Sequence, residues 1–339
     1  MIMSQDELLS PSRVLVTGAG GPAAIAVIRA LESDPTVTLL AADMDPWASG
    51  LYLVDRSDAV IVPAGDAEDF VDVVLSECID RGVDLLVPTV DVELLPLARS
   101  ADRFSDHGIR LLLPSARSLE IALNKLTLAK VCTGVVRVPR TELAESTDLS
   151  SWTYPVIVKP KSGSGSRGIA LVHSAEEVEA RLPDEDLLVQ EHLPGEEYSV
   201  DVVADHLGRV RAAVPRVRQR VDSGVSVAGY TLNDPELERF ARHVVEVVGL
   251  PFVSNVQIRR DAEGRPSLLE VNPRVPGSLA LTVASGVDMA KIAIDSLRGR
   301  PITQDVPHRQ VAMVRMLADL VVEVDALVGD QVAIGGIEA

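Results

Sequence analysis

The sequence predicts an α/β fold for the first third of the chain and an α+β arrangement after it, on three observations. Short β-branched runs alternate with helical periods from Arg13 to about Pro114, the pattern of parallel βαβ units. Beyond that point strands follow one another closely around Gly- and Pro-punctuated turns. Finally, 339 residues with 47% hydrophobic and 24% charged side chains supply enough apolar material for two or three packed domains.

In chain order, RVLVTG reads as the first strand and PAAIAVIRALES as a helix that Pro22 opens at its first turn. TVTLLAADMD, DAVIVP, DLLVPT and IRLLLP are further strands, with the helical period AEDFVDVVLSECIDRG among them. One helix is expected from Ser115 to Lys130. YPVIVKPKSGSGSRGIALVHS then reads as strand, Gly/Ser loop and strand, and LLVQEHLPGEEYSVDVVAD as two strands around Pro194-Gly195. A helix is expected from Pro235 to Val248, followed by the hairpin VSNVQIRR-DAEGRP-SLLEVN and one long helix over LALTVASGVDMAKIAIDSLRG.

Lys and Arg number 32 against 50 Asp and Glu, a net charge of −18, and such a field repels nucleic-acid backbones and anionic membranes. No run of about 20 uncharged apolar residues is present, and the first twelve residues lack an apolar leader core, so a cytoplasmic protein is expected. Cys78 and Cys132 are too few for a disulfide framework and are expected to be reduced.

Three motifs carry chemistry. Gly18-Ala19-Gly20-Gly21-Pro22-Ala23, with Asp43 and Asp45 after the next strand, fits a dinucleotide turn and equally the tight turn of a structural βα unit. Lys159-Pro160-Lys161 followed by Gly163, Gly165, Ser166 and Gly168 is a small-residue loop whose amides can wrap phosphates, with lysines adding charge. It lacks the Gly-Lys-Ser/Thr ending of a P-loop. The third motif is Gln257, Glu270 and Asn272. If the hairpin closes over residues 262–265, Gln257 falls opposite Glu270, and Asn272 shares the face of Glu270. Such hard oxygen donors suit Mg²⁺ or Mn²⁺, with water and phosphates completing the shell. In addition, Arg216, Arg218 and Arg220 are spaced by two, as on one strand face, where Arg218 and Arg216 could hold a substrate carboxylate and a solvated face is the competing reading. Ser226 falls in a small polar loop beside them.

Together, from Val14 to about Val324, these pieces resemble the ATP-grasp ligases, most closely the synthetase units of the carbamoyl phosphate synthetase large subunit and the stand-alone amino-acid ligases. Gln257 followed by LLEVNPR carries most of the resemblance, with the Lys159 loop and VQEHLPGEEYSVDV in matching order. It implies a Rossmann-like N-terminal domain (13–115) that binds no dinucleotide, a linker helix and lid (116–190) and a C-terminal domain (191–330), with ATP between the last two. Carried over residue by residue, Lys125, Lys159 and Lys161 would contact phosphates and the loop from Gly163 to Gly168 would close over them. Gln190 and Glu191, with His192 and Leu193, would face the adenine, and Glu197 the ribose. Gln257, Glu270 and Asn272 would hold the divalent ions, with Arg274 and Lys159 at the transferring phosphoryl. Lys159 departs from the Arg of the carbamoyl phosphate synthetase units.

The implied activity is ATP-dependent joining of a small-molecule carboxylate, an amino acid among the candidates, to an amine through an acyl phosphate. Phosphorylation of bicarbonate or carbamate is the alternative within the enzyme class, although only one synthetase unit is expected in this length. A nucleotide-binding protein without turnover and a nicotinamide oxidoreductase are alternatives outside it. The sequence leaves the oligomeric state open, a homodimer being common.

Overall fold

The computed structural model describes residues 12–163, 168–182, 186–222, 224–300, 302 and 304–328. The chain forms two compact units, one built on residues up to Leu113 with 297–300 and 316–328, the other on Pro114–Ser296 with the segment ending at Arg315.

The first unit follows the predicted alternation: β1 (Ser12–Thr17), α1 (Pro22–Leu31), β2 (Val37–Asp43), β3 (Ala59–Ile61), α2 (Phe70–Asp80), β4 (Leu85–Val87), α3 (Asp91–Arg99), α4 (Ala101–Ser105) and β5 (Arg110–Leu111). The strands form one parallel sheet in the order β3-β2-β1-β4-β5. Val14, Leu15 and Val16 are fully buried, because a parallel sheet covered by helices has no solvent face. The glycine turn after β1 is filled by the protein itself. Gly18 has φ +66°, and a Cβ there would lie 2.4 Å from Val90 Cγ2. Asp43 accepts from the Gly20 amide at 2.7 Å, occupying a donor that a pyrophosphate would need.

The second unit contains α5 (Ala116–Ala122), α6 (Lys125–Cys132), β6 (Thr141–Leu143), β7 (Val156–Pro160), β8 (Ala170–Val172), α7 (Ala175–Glu179), β9 (Leu187–Glu191), β10 (Glu197–Ala204), β11 (Val210–Asp222), β12 (Val225–Thr231), α8 (Pro235–Val248), β13 (Phe252–Arg260), β14 (Pro266–Asn272), α9 (Leu279–Ala284), α10 (Met289–Leu297) and β15 (Ala312–Val314). Two antiparallel sheets result, β6-β9-β7-β8 and β14-β13-β10-β11-β12-β15. The larger sheet packs one face on α8: Val200, Val202, Val256 and Ile258 meet Val244 and Val245, all fully buried. Asp234 caps α8 by accepting from the amides of Glu236 and Leu237, and Gly249 ends it in the left-handed region at φ +72°. Alternation then places Ser199, Asp201, Asn255 and Gln257 on the opposite face.

Three expectations are corrected. The helix expected over Ser115–Lys130 is two helices, because Asn124 leaves helical geometry and its side chain accepts from Leu126 and Thr127 amides, starting α6 afresh. The long helix after Ser278 is also two, divided at Gly286, whose φ of +106° no helix accommodates. The β13–β14 turn spans residues 261–265 rather than 262–265, since Arg260 pairs with Pro266. A bulge then shifts the register between Gln257 and Ile258, which restores Gln257 opposite Glu270. The bulge also turns Leu269 away from the core that holds Leu268 and Val271, to the same side as Glu270.

Candidate active site

Within the second unit, residues of the two sheets line one open cleft. It draws Lys125 from the start of α6, Lys159 and Ile157 from β7, Gln190 and Glu191 from β9, Glu197 from β10, Gln257 from β13 and Glu270 from β14. Gly163, Leu193, Ile169, Leu269 and Arg259 complete its working surface.

Two lysines are buried in its wall. Lys159 is 4% exposed and donates to Gln190 Oε1 at 2.9 Å. Burial pushes its ammonium down to about 8, helped by neighbouring Lys125 and opposed by Glu270 and Glu197. Gln190 is itself held by its donation to Thr141 Oγ1 at 2.8 Å. Lys125, also buried, donates to the Gly163 carbonyl at 2.7 Å and lies 3.6 Å from Glu270. Two buried ammonium groups stand here with Glu270 and Glu197 near them, and such cations suit phosphate oxygens.

Beside them stand the oxygen donors. Gln257 and Glu270 are direct cross-strand partners in the register above. Asn272, one row along, donates its amide nitrogen to Asn255 Oδ1 at 3.5 Å, leaving Oδ1 as the end a cation could use. Asn255 in turn donates to Asp201 at 2.7 Å. Among the described residues no group of three or more His, Cys, Asp or Glu has metal-binding geometry. One carboxylate and two carboxamides fit an ion that takes its remaining oxygens from phosphates and water, the habit of Mg²⁺.

Ile157, Ile169, Leu193 and Leu269 give the same cleft an apolar lining. Glu191, there too, accepts from the Arg140 amide at 3.1 Å.

Some predicted residues stand apart from the cleft. Lys161 pairs with Asp186. Arg216 is buried, its Nε 3.1 Å from both oxygens of Asp201, which also accepts from Thr282 Oγ1 at 2.6 Å. Arg218 holds Glu197 at 3.2 Å and the Gly224 carbonyl at 2.9 Å. A register shift between Arg218 and Arg220 breaks the even spacing, and Arg220 is exposed. Ser226 Oγ donates to the Ala228 carbonyl at 3.2 Å. Gly168, His192, Asn272 and Arg274 are not among the residues lining the cleft; Arg274 donates to the Val275 carbonyl at 3.2 Å. Gly165 and Ser166 lie outside the described residues. Sequence reasoning missed Arg259 and Leu269, whose position depends on strand register and on a bulge. The repeated Leu before Glu270 is the one sign of the latter.

Residues 14–112 match the family described as "PylC-like, N-terminal domain" and residues 183–320 the family "ATP-grasp in the biosynthetic pathway with Ter operon". The fold is that of the ATP-grasp proteins, and residues 183–320 match an ATP-grasp family. Among solved structures it is similar to pyruvate carboxylase from Rhizobium etli (TM-score 0.71, 20% identity), covering 86% of this chain but only 29% of that one. It is also similar to the biotin carboxylase domain of Hydrogenobacter thermophilus 2-oxoglutarate carboxylase, in complex with MgADP, ADP and bicarbonate (TM-score 0.74, 18% identity, 88% of this chain and 72% of that one). L-amino acid ligase from Bacillus licheniformis is a third (TM-score 0.67, 15% identity, 85% and 74%). At these identities the likeness establishes the fold.

Proposed function

We propose that this chain is an ATP-dependent carboxylate–amine ligase that forms an acyl phosphate and releases ADP and phosphate. The observation that carries this reading is the pair of buried lysines in one cleft with the Gln257–Glu270 pair and apolar side chains. Cations and oxygen donors suit a triphosphate with its metal ion, and the apolar side chains suit a nucleobase. Domain roles follow the expected division at 115 and 190, the smaller sheet acting as the lid.

The carboxylate oxygen attacks the γ-phosphorus, the bond to the β–γ bridging oxygen breaks, and ADP leaves with that electron pair. The amine then attacks the acyl carbon, loses a proton, and phosphate departs. Magnesium, or manganese, held by Gln257, Glu270 and Asn272 would neutralise the β- and γ-phosphate oxygens. Lys125 and Lys159 bind and orient the phosphates, and their charge favours the transition state over bulk water. The mixed anhydride has to be kept from water until the amine attacks. Arg274 is assigned to the transferred phosphoryl group, and Arg216, Arg218 and Ser226 to the acceptor side. For Arg216 and Arg218 this requires their present carboxylate partners to remain bound while an unused N–H meets substrate.

Phosphate release measured across amino acids and small carboxylic acids, with mass detection of the coupled product, tests the proposal. Product formation with one amine–acid pair supports it; phosphate release with bicarbonate alone supports the carboxylase-like alternative. Among the described residues no helix is long and apolar enough to cross a membrane. A cytoplasmic protein acting on small molecules is our reading, and a homodimer is the first assembly to test, since the Hydrogenobacter thermophilus domain is described as a dimer.

A further inference from the structure

The strand register brings three charged side chains from three neighbouring strands into one row: Arg259 of β13, Glu197 of β10 and Arg218 of β11. Glu197 and Arg259 are direct cross-strand partners, and Tyr198 opposite Val217 fixes Arg218 on the other side of the same carboxylate. Arg218 reaches Glu197 Oε1 at 3.2 Å and Arg259 lies 3.4 Å from Oε2. Both guanidiniums are anchored elsewhere too, Arg218 on the Gly224 carbonyl at 2.9 Å and Arg259 at 3.5 Å from the Leu193 carbonyl. The Arg259 Nε is buried with no hydrogen-bond partner. A buried donor left unsatisfied is rare and calls for a reason.

We propose that Arg259 is a positioning residue for nucleotide selection, pinning Glu197 from the β13 side, opposite Arg218, so that the carboxylate meets the ribose hydroxyls already oriented. The inference rests on the proposed nucleotide site and on Glu197 facing the ribose. A carboxylate offers about four lone-pair sites. Two guanidinium contacts therefore leave acceptor capacity for two hydroxyls while removing the rotamer freedom that binding would otherwise have to freeze. Arg259 also ties the carboxylate to the backbone of Leu193, which lines the same cleft. Loss of the Arg259 contact should therefore change nucleotide affinity and sugar discrimination together.

The test is equilibrium titration of the full chain with Mg·ATP and with Mg·2′-deoxy-ATP, for the native protein, Arg259→Leu and Arg259→Lys, each checked for folding by its thermal transition. The native protein should prefer ATP by tenfold or more, a ratio expected for one hydrogen bond to a charged acceptor. Arg259→Leu should reduce that ratio below about threefold, and Arg259→Lys, which keeps a cation, should restore part of it. If Arg259→Leu does not fold, the lysine variant is read alone: a ratio reduced from the native one supports the proposal and an unchanged ratio overturns it. An unchanged ratio in folded Arg259→Leu, or a native protein that binds both nucleotides equally, also overturns it. Failure of the native protein to bind ATP at all instead refutes the nucleotide site on which the proposal rests.

Discussion

Lys159 makes nucleotide affinity depend on pH in a range where few other groups titrate. Its ammonium is 4% exposed and burial lowers it to about 8 from an ordinary 10.5. A bound triphosphate would hold the proton on, so binding above pH 8 requires proton uptake. With a free-state value near 8, about one molecule in eleven carries the charge at pH 9, and affinity should fall about tenfold there, close to 1.4 kcal/mol. Between pH 6.5 and 7.5 Lys159 contributes almost no dependence, because it is already charged. Calorimetric titration with a non-hydrolysable ATP analogue at pH 9, in buffers of different ionisation enthalpy, should report about 0.9 proton taken up per nucleotide. Lys159→Arg should abolish the uptake, since guanidinium stays charged. Equal affinity at pH 7 and pH 9.5 with no proton uptake would refute the assignment of Lys159 to the phosphates. Glu270→Gln adds an internal check: Glu270 is the largest influence holding the Lys159 proton on, so its neutralisation should move the onset of the affinity loss to lower pH.

Three further outcomes concern stability. Glu93 is 5% exposed, accepts from Thr17 Oγ1 at 2.5 Å, and is pushed up to about 7, chiefly by burial. A raised carboxyl binds its proton more tightly folded than unfolded, so stability is highest below about pH 4.5 from this group and declines as pH rises toward 7; Glu93→Gln should remove that decline, worth about 3 kcal/mol, in urea melts at pH 5 and 8. Asp201→Ala strips the buried Arg216 of its partner and should cost about 3–5 kcal/mol by denaturant unfolding, an outcome that a loss below 1 kcal/mol would contradict. Gly18→Ala places a Cβ 2.4 Å from Val90 Cγ2 at φ +66° and should lower stability by about 1–3 kcal/mol, read as a lower thermal midpoint.

Elements that depend on local signals were legible in the sequence. The β-branched strands of the first unit and α8, with its Asp234 cap and Gly249 stop, are written in periodicity and end signals. Where one side chain competes with a regular element, the reading failed. Asn124 splits a periodic run that looks continuous, and in doing so sets Lys125 at the first position of a new helix beside Gly163. The Gln257–Glu270 pairing was read correctly from an incorrect turn, because a bulge offsets the extra turn residue. Arg259 had no visible role because its partner Glu197 lies 62 positions away and meets it only through register. The arginines of β11 were legible as a group but not their partners: Asp201 and Glu197 stand on the neighbouring strand, and only the sheet shows that they take up Arg216 and Arg218.

The central claim is that the cleft holds a nucleotide through a divalent ion gripped by Gln257, Glu270 and Asn272. Calorimetric titration of AMPPNP at neutral pH, with magnesium and then with a chelator, on the native protein and Glu270→Gln, tests it most directly. The account predicts saturable binding that weakens at least about tenfold without magnesium, and a Glu270→Gln variant that has lost most of the magnesium effect. Binding of equal strength in all four titrations, or none in any, would contradict it.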